Sequence, residues 1–206
     1  MSNTAHLQTS YPVMETFYSI QGEGFYQGHA AFFIRLGGCD VGCVWCDVKE
    51  SWDAAAHPKR TVLDLLNEVK ASGTRIVVIT GGEPLMHDCT ALTETLREAG
   101  FQVNIETSAS HPISGTWDWI CVSPKKFKAP LPDIMQMAHE LKVVCYHKSD
   151  LAWAEEQAQL CGQQTQLYLQ PEWSREKERL TDIIEFIGKN PRWILSLQIH
   201  KYMEVR

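Results

Sequence analysis

The chain has 206 residues, of which 44% are hydrophobic and 21% charged, and its formal net charge is -6. This composition is ordinary for a folded globular protein and excludes global disorder. The acidic balance provides no overall attraction to nucleic acid or to an anionic membrane surface. The polar N-terminus does not resemble a signal peptide, and no apolar run reaches the length needed to span a bilayer. We therefore expect a cytoplasmic protein without nucleic-acid or membrane partners.

Extended and helical segments alternate along most of the chain, a pattern that favours a parallel sheet with crossover helices. Strands are predicted, in chain order, at residues 30–36, 75–80, 101–106, 119–122, 141–145, 166–170 and 193–199. Thr61 and Asp64 form a predicted capping box at the start of one helix. Other helices are expected from Asp88 to Gly100, after a cap at Ser149, and over residues 174–188.

Prolines between Thr107 and Lys142 predict loops in place of regular crossover helices in that part of the chain. With no linker or repeat, residues 1–206 are expected to form a single domain. The predicted fold class is α/β, an incomplete TIM-like barrel of about six parallel strands with reduced helices. Polar and glycine-rich residues follow several of the strands, so we expect one shared site at the barrel mouth.

Three of the seven cysteines, Cys39, Cys43 and Cys46, lie in a C-x3-C-x2-C segment directly after a predicted strand. Three thiolates at this spacing leave one iron of a [4Fe–4S] cluster without a protein ligand, as in catalytic metal sites. A zinc site is the alternative, although its fourth ligand, His57 or Asp47, would lie at unusual spacing. The other four cysteines, predicted to be small buried residues, are Cys89, Cys121, Cys145 and Cys161.

The cysteine spacing, with Trp45 before the last thiol, resembles that of the radical S-adenosylmethionine (SAM) superfamily. A second segment, Thr80-Gly81-Gly82-Glu83-Pro84, is similar to the superfamily's G-G-E-P motif, which meets the cofactor. The resemblance implies that SAM binds the open iron and is cleaved to a 5′-deoxyadenosyl radical. The protein would then exclude water and direct that radical.

Further segments narrow the family to one that resembles 7-carboxy-7-deazaguanine synthase. They are residues 17–24 (F-Y-S-I-Q-G-E-G), 33–36 (F-I-R-L), 105–108 (I-E-T-S), 122–125 (V-S-P-K) and 198–202 (Q-I-H-K-Y). The resemblance covers nearly the whole chain. It implies conversion of 6-carboxy-5,6,7,8-tetrahydropterin to 7-carboxy-7-deazaguanine and ammonia, in 7-deazapurine (queuosine) biosynthesis. It also implies a homodimer and a reductant such as flavodoxin or ferredoxin.

The resemblance also assigns roles to individual residues. The implied substrate-binding residues are Ile20, Gln21, Gly22, Arg35, Thr80 and the C-terminal Arg206. The implied cofactor-binding residues are Trp45, Gly82, Glu83, Glu106, Ser123, Pro124, Lys125, Gln170 and Pro171. Independently of the family, Arg35 lies inside an apolar strand, where an unpaired guanidinium would be costly, so we expect a ligand or an acidic partner beside it.

One residue departs from the family pattern. The family carries Thr or Ser two residues after the last cluster cysteine, and that hydroxyl helps to hold magnesium against the substrate carboxylate. This chain has Val48 there, which offers no oxygen to a hard cation. Magnesium is therefore a family expectation only, held by Asp47, water and substrate or else bound weakly.

Two other functions remain open from the sequence. A small radical enzyme that activates a partner protein through a glycyl radical has comparable length and cysteine spacing, but it needs a protein-docking face. A non-enzymatic zinc or iron–sulfur module would bind metal without responding to SAM.

Overall fold

The computed structural model describes residues 3–206, and within this range one nine-stranded sheet organises the fold. The order across the sheet is β3-β1-β2-β4-β5-β6-β7-β8-β9. The strands are β1 (Ser10–Ile20), β2 (Ala30–Leu36), β3 (Lys59–Thr61), β4 (Ile76–Gly81), β5 (Gln102–Thr107), β6 (Trp119–Val122), β7 (Glu140–Cys145), β8 (Gln166–Pro171) and β9 (Trp193–Leu195).

Strand β2 and the strands β4 to β9 are parallel to one another, as predicted. The helices are α1 (Asn3–Gln8), which precedes the first strand, α2 (Val62–Ser72), α3 (Thr90–Glu98), α4 (Pro132–Met137), α5 (Asp150–Ala158), α6 (Glu176–Lys189) and α7 (Ile199–Tyr202). The capping box that starts α2 is present, because Thr61 accepts from the Asp64 amide and Asp64 accepts from the Thr61 amide. The Ser149 side chain makes no cap on α5. Instead the Asp150 carboxylate accepts from the Tyr146 and His147 amides.

The reduced helices also agree with the sequence. A loop alone joins β5 to β6, and the short α4 joins β6 to β7. The fold is thus the incomplete parallel barrel that the alternation predicts. Within the described residues, no helix has both the length and the apolar character to cross a membrane.

The sequence does not predict an addition at the N-terminal side of the sheet. The long strand β1 pairs antiparallel with β2 and with the short β3, so the sheet extends beyond the parallel part. Its register shifts between Val13 and Glu15, as in a β-bulge. A bulge interrupts the period-two alternation from which strands are recognised.

The two faces of the sheet differ in composition. One face packs beneath the helices in two apolar clusters, which include Ile34, Ile79 and Leu92 around α2 and α3, and Leu141 and Leu169 around α4, α5 and α6. The opposite face carries a small apolar cluster, Ala31, Phe33 and Val78, and several polar side chains. The polar side chains come from alternate positions of the same strands: Arg35, Thr80, Glu106, Lys142 and Gln170. This inner face forms the floor of the site.

Candidate active site

The three motif cysteines lie on the loop that follows β2 and line one cavity of about 220 Å³. Gly38 begins the loop with φ 111°, and the Cys39 amide donates to the Trp52 carbonyl at 3.1 Å. The Cys46 amide closes a turn on the Cys43 carbonyl, also at 3.1 Å. The backbone therefore presents all three thiols to the same space.

The glycines of the G-G-E-P segment allow β4 to pack against this loop. The Gly82 amide donates to the Leu36 carbonyl and the Glu83 amide donates to the Gly38 carbonyl. A Cβ on Gly82 would lie 2.2 Å from the Gly38 carbonyl oxygen and 2.7 Å from the Cys39 Cβ. Any side chain there would displace the cysteine loop, so Gly82 maintains the shape of the cavity as well as lining it.

The sequence predicts that Glu83 contacts the cofactor, but in the structure its carboxylate meets hydrogen-bond donors of the protein. Its carboxylate is buried and accepts from the Leu85 amide, the Thr107 hydroxyl, and the amide and hydroxyl of Ser108. These bonds hold the segment after β5 against the segment after β4. Glu83, Pro124 and Pro171 do not line the cavity, so a direct contact of these residues with a cofactor stays a prediction.

Without a metal, the environment of the cavity disfavours the ionised form of the Cys39 and Cys43 thiols. Burial raises the pKa of Cys39, and burial raises the pKa of Cys43 to about 11, with the nearby Lys125 acting in the opposite direction. Burial also lowers the pKa of Lys125, whose ammonium donates to the Ser123 hydroxyl and lies over the Trp45 ring. The iron ions of a bound cluster would supply the positive charge that stabilises the thiolates.

A second cavity, of about 170 Å³, adjoins the first. It is lined by all the residues predicted to bind substrate: Ile20, Gln21, Gly22, Arg35, Thr80 and Arg206. The residues that line both cavities are Glu23, Arg35, Asp47, Val48, Thr80, Glu106 and Gln198. The first cavity is also lined by the predicted cofactor residues Trp45, Gly82, Glu106, Ser123, Lys125 and Gln170. The residues of these two sets thus line one continuous cleft.

The buried ammonium of Lys142 lies at the floor of this cleft, and the sequence analysis did not single out this residue. Lys142 donates to Glu23 at 2.6 Å and to Glu106 at 2.8 Å, with its side chain only 3% exposed. Gln21 donates to the other oxygen of Glu106, and Gln198 to the other oxygen of Glu23. The available signal is a lysine within the apolar strand L-K-V-V-C, where a buried charge requires partners.

Lys142 lowers the pKa of the neighbouring Glu23 carboxyl. Burial alone would raise the pKa of Glu23, but the adjacent ammonium and its hydrogen bond lower that pKa to about 2. The surrounding carboxylates and the Cys121 thiol overcome burial and hold the pKa of Lys142 well above its usual value. Glu140 behaves differently, because burial raises its pKa. The floor is therefore a compact set of paired charges.

Arg35 has the acidic partner that its position in an apolar strand required. Its Nε donates to Glu15 Oε1 at 2.8 Å, and Arg206 donates to Glu15 Oε2 at 3.0 Å. The guanidinium also lies 6.0 Å from the centre of the Phe17 ring, which stacks on Phe33. Glu15 thus brings two guanidiniums from opposite ends of the chain to one wall of the second cavity.

Of the four remaining cysteines, Cys89, Cys121 and Cys145 are buried as predicted, whereas Cys161 is partly exposed. All four are free thiols.

Comparison with known proteins identifies the family. The Radical SAM superfamily model matches residues 33–121, which include the three motif cysteines. The chain is 51% identical to the 7-carboxy-7-deazaguanine synthase of Flavobacterium psychrophilum over 194 residues, covering 94% of this chain and 92% of that protein. This chain belongs to the 7-carboxy-7-deazaguanine synthase family. The Synechocystis enzyme of that name is 48% identical, with 97% of this chain and 96% of the relative covered.

A solved structure supports the fold. The crystal structure of QueE from Escherichia coli superposes with a TM-score of 0.81 at 33% identity, covering 96% of this chain and 98% of that one. The incomplete parallel barrel is therefore the family fold. Membership of the radical SAM superfamily implies a [4Fe–4S] cluster and SAM, which is consistent with three thiols that line a single cavity.

Proposed function

We propose that this protein converts 6-carboxy-5,6,7,8-tetrahydropterin to 7-carboxy-7-deazaguanine, with release of ammonia, as a radical SAM enzyme of 7-deazapurine biosynthesis. The observation that carries the proposal is the continuous cleft, in which a three-cysteine cavity opens into a cavity lined by the predicted substrate residues. Such a cleft lets a radical source and a small polar heterocycle meet without water between them.

The residues of the first cavity fit the two cofactors of the superfamily. Cys39, Cys43 and Cys46 would hold the cluster, and the polar wall around Ser123 and Gln170 would contact SAM. When bound, these cofactors supply the radical chemistry at carbon. Gly82 keeps the wall beside the thiols free of side chains, and the buried Glu83 fixes the two segments that frame the opening.

The residues of the second cavity suit a carboxylated pterin. Gln21 and Glu106 provide an amide and a carboxylate that can pair with the donor and acceptor edge of the ring. The stacked Phe17 and Phe33 provide an apolar wall. Arg35 offers the guanidinium nitrogens that Glu15 does not use, and such nitrogens are well suited to a carboxylate.

Lys142 organises these groups from below. Because its ammonium bonds both Glu23 and Glu106, it fixes the direction of the two carboxylates. The Glu106 carboxylate is then an acceptor whose position does not depend on substrate. Preorganisation of this kind lowers the cost of ordering the site when substrate binds.

We also infer a small one-electron donor, flavodoxin or ferredoxin, together with a homodimer and a cytoplasmic location. All three inferences are drawn from what is expected of the family.

An anaerobic assay tests the function. The reconstituted protein, supplied with reductant, SAM and the carboxypterin, is expected to form 7-carboxy-7-deazaguanine and ammonia. No product, together with no pterin-dependent turnover of SAM, would refute the proposal.

A second measurement distinguishes the remaining alternatives. The EPR spectrum of the reduced cluster is expected to change when SAM is added, because the open iron gains ligands. An unchanged spectrum would favour a structural metal module, and glycyl-radical formation on another protein would favour an activase.

A further inference from the structure

At the junction of the two cavities, an ion pair involves Asp47, the residue next to Val48, where the family pattern has the hydroxyl that helps to hold magnesium. Asp47 and Val48 line both cavities, and Lys201, near the C-terminal end of α7, lines the first. The Lys201 ammonium donates to Asp47 Oδ2 at 2.9 Å. The residue after Asp47 is the valine that departs from the family pattern.

These residues do not fit magnesium. Magnesium requires oxygen ligands in near-octahedral geometry, and the Val48 side chain has no oxygen. The carboxylate of Asp47, a residue that lines both cavities, is already bonded to an ammonium.

Lys201 is held in position by more than its ion pair. The Ile199 amide donates to the Gly22 carbonyl at 3.0 Å, which ties α7 to the loop of the second cavity. The Lys201 ammonium lies 5.3 Å from the centre of the Trp173 ring. Its side chain is 22% exposed, compared with 59% for Asp47. The ammonium is therefore partly preorganised, which reduces the entropy cost that weakens surface ion pairs.

A cation beside Asp47 also suits a carboxylated substrate. A carboxylated substrate in the cleft would meet the Asp47 carboxylate, and two carboxylates at close range repel one another. A cation between them removes this repulsion. Lys201 supplies one positive charge at that place, whereas a divalent ion would need oxygen ligands that Val48 does not provide.

We infer that the Lys201 ammonium neutralises Asp47 and binds the substrate carboxylate, so that this enzyme works without magnesium. The inference rests on the proposed function, because that function supplies the carboxylate. Lys201 is then a substrate-binding residue at the end of the chain, and the valine at position 48 is compatible with catalysis because no metal needs it.

The test compares Lys201→Met with Lys201→Arg in the reconstituted enzyme under anaerobic conditions. The dissociation constant of the carboxypterin is measured from quenching of tryptophan fluorescence, with EDTA and with excess magnesium. Charge-assisted hydrogen bonds contribute roughly 1.5–3 kcal/mol, so Lys201→Met is expected to weaken substrate binding about ten- to hundredfold in EDTA. Lys201→Arg, which keeps the charge, is expected to retain most of the affinity.

Lys148→Met provides a matched control. Lys148 also pairs with a carboxylate, Asp182 at 3.0 Å, and it lines neither cavity. Its replacement is expected to leave both the substrate affinity and the activity unchanged. A general effect of removing a lysine ion pair would weaken binding in this variant too.

A magnesium titration provides the second arm. Neither affinity nor turnover of the unmodified enzyme is expected to respond to magnesium. Val48→Thr adds a hydroxyl oxygen and is expected to raise the response, and Lys201→Met with Val48→Thr is expected to respond most, because Asp47 is then free to bind the metal.

The possible outcomes separate this inference from the proposed function. Absence of deazaguanine product from the unmodified enzyme refutes the function. Formation of product that depends several-fold on magnesium refutes the inference alone. The inference is also wrong if Lys201→Met weakens the binding of SAM and leaves that of the pterin unchanged, or if Lys201→Arg binds substrate as poorly as Lys201→Met.

Discussion

The two faces of the sheet are made from alternate residues of the same strands, but they have opposite chemistry. On β7, Leu141 and Val143 point into the apolar cluster beneath the helices, whereas Lys142 between them lies among carboxylates. The outer face gains stability from burial of apolar surface. The inner face keeps charges buried and paired where a substrate can use them. Substitutions on the outer face should therefore change stability, and substitutions on the inner face should change chemistry, with or without a loss of stability.

The largest effect is expected at the cysteine loop. Cys43→Ala removes a ligand of the proposed cluster and is expected to abolish product formation and lower bound iron. Iron analysis and EPR of the reconstituted protein measure the loss. The matched control is Cys145→Ala in the outer cluster, which is expected to cost about 1 kcal/mol of unfolding free energy and to keep its iron. Equal loss of iron in the two variants would contradict the division between the faces.

The second prediction concerns the inner floor. Lys142→Met leaves the partly buried Glu23 and Glu106 without their shared cation, so it is expected to lower the unfolding free energy by about 3–5 kcal/mol and to reduce activity strongly. Urea denaturation and the anaerobic assay provide the two measurements.

Leu141→Ala, one residue away on the outer face, is the control. It is expected to lower stability by about 2–5 kcal/mol through a cavity, with normal KM for the folded protein. A raised KM in Leu141→Ala would show that the two faces are coupled.

The third prediction is the pH dependence of stability. Because the pKa of Glu23 falls from 4.5 to about 2 on folding, its contribution is fully present above pH 4.5 and is lost as the pH falls towards 2. In Lys142→Met, burial without the ammonium raises the pKa of Glu23, so the sign reverses and this residue's contribution improves as the pH falls. Denaturation curves between pH 3 and 7 should therefore converge for the two proteins at low pH. Parallel curves would show that the Lys142–Glu23 pair does not account for the difference.

The inner face also shows which parts of the site can be predicted from sequence. The cysteine loop and the G-G-E-P segment are local motifs that each follow a predicted strand, so the sequence predicts that both lie at the barrel mouth. In the structure, Gly81 and Gly82 line the same cavity as the three thiols. The roles of Lys142, Glu23 and Glu15 cannot be assigned in this way. Each meets a partner that is distant in the chain, and a single sequence does not reveal the strand register that brings them together. Glu15 is especially difficult, since it follows the irregularity of β1.

The same distinction applies to the fold. Parallel strands separated by helices are predictable because the hydrophobic period changes at each boundary. The strands β1 and β3 are missed, since β3 has only three residues and β1 contains Pro12 and a register shift. Ser149 is the N-cap residue of α5, as predicted, but its side chain makes no cap hydrogen bond. The carboxylate of Asp150, the next residue, accepts from the Tyr146 and His147 amides instead.

The smallest expected effect is at a helix that covers the outer face. Thr61 accepts from the Asp64 amide at the start of α2, and Thr61→Ala is expected to lower the unfolding free energy by about 1 kcal/mol. Thr61→Ser, which keeps the hydroxyl, should retain most of that stability. Neither variant should change KM or kcat, because α2 packs against the apolar clusters and contributes no residue to either cavity. A changed KM in Thr61→Ala would show that a small change in packing on the outer face alters the charged groups of the inner face. The two faces would then form one cooperative unit.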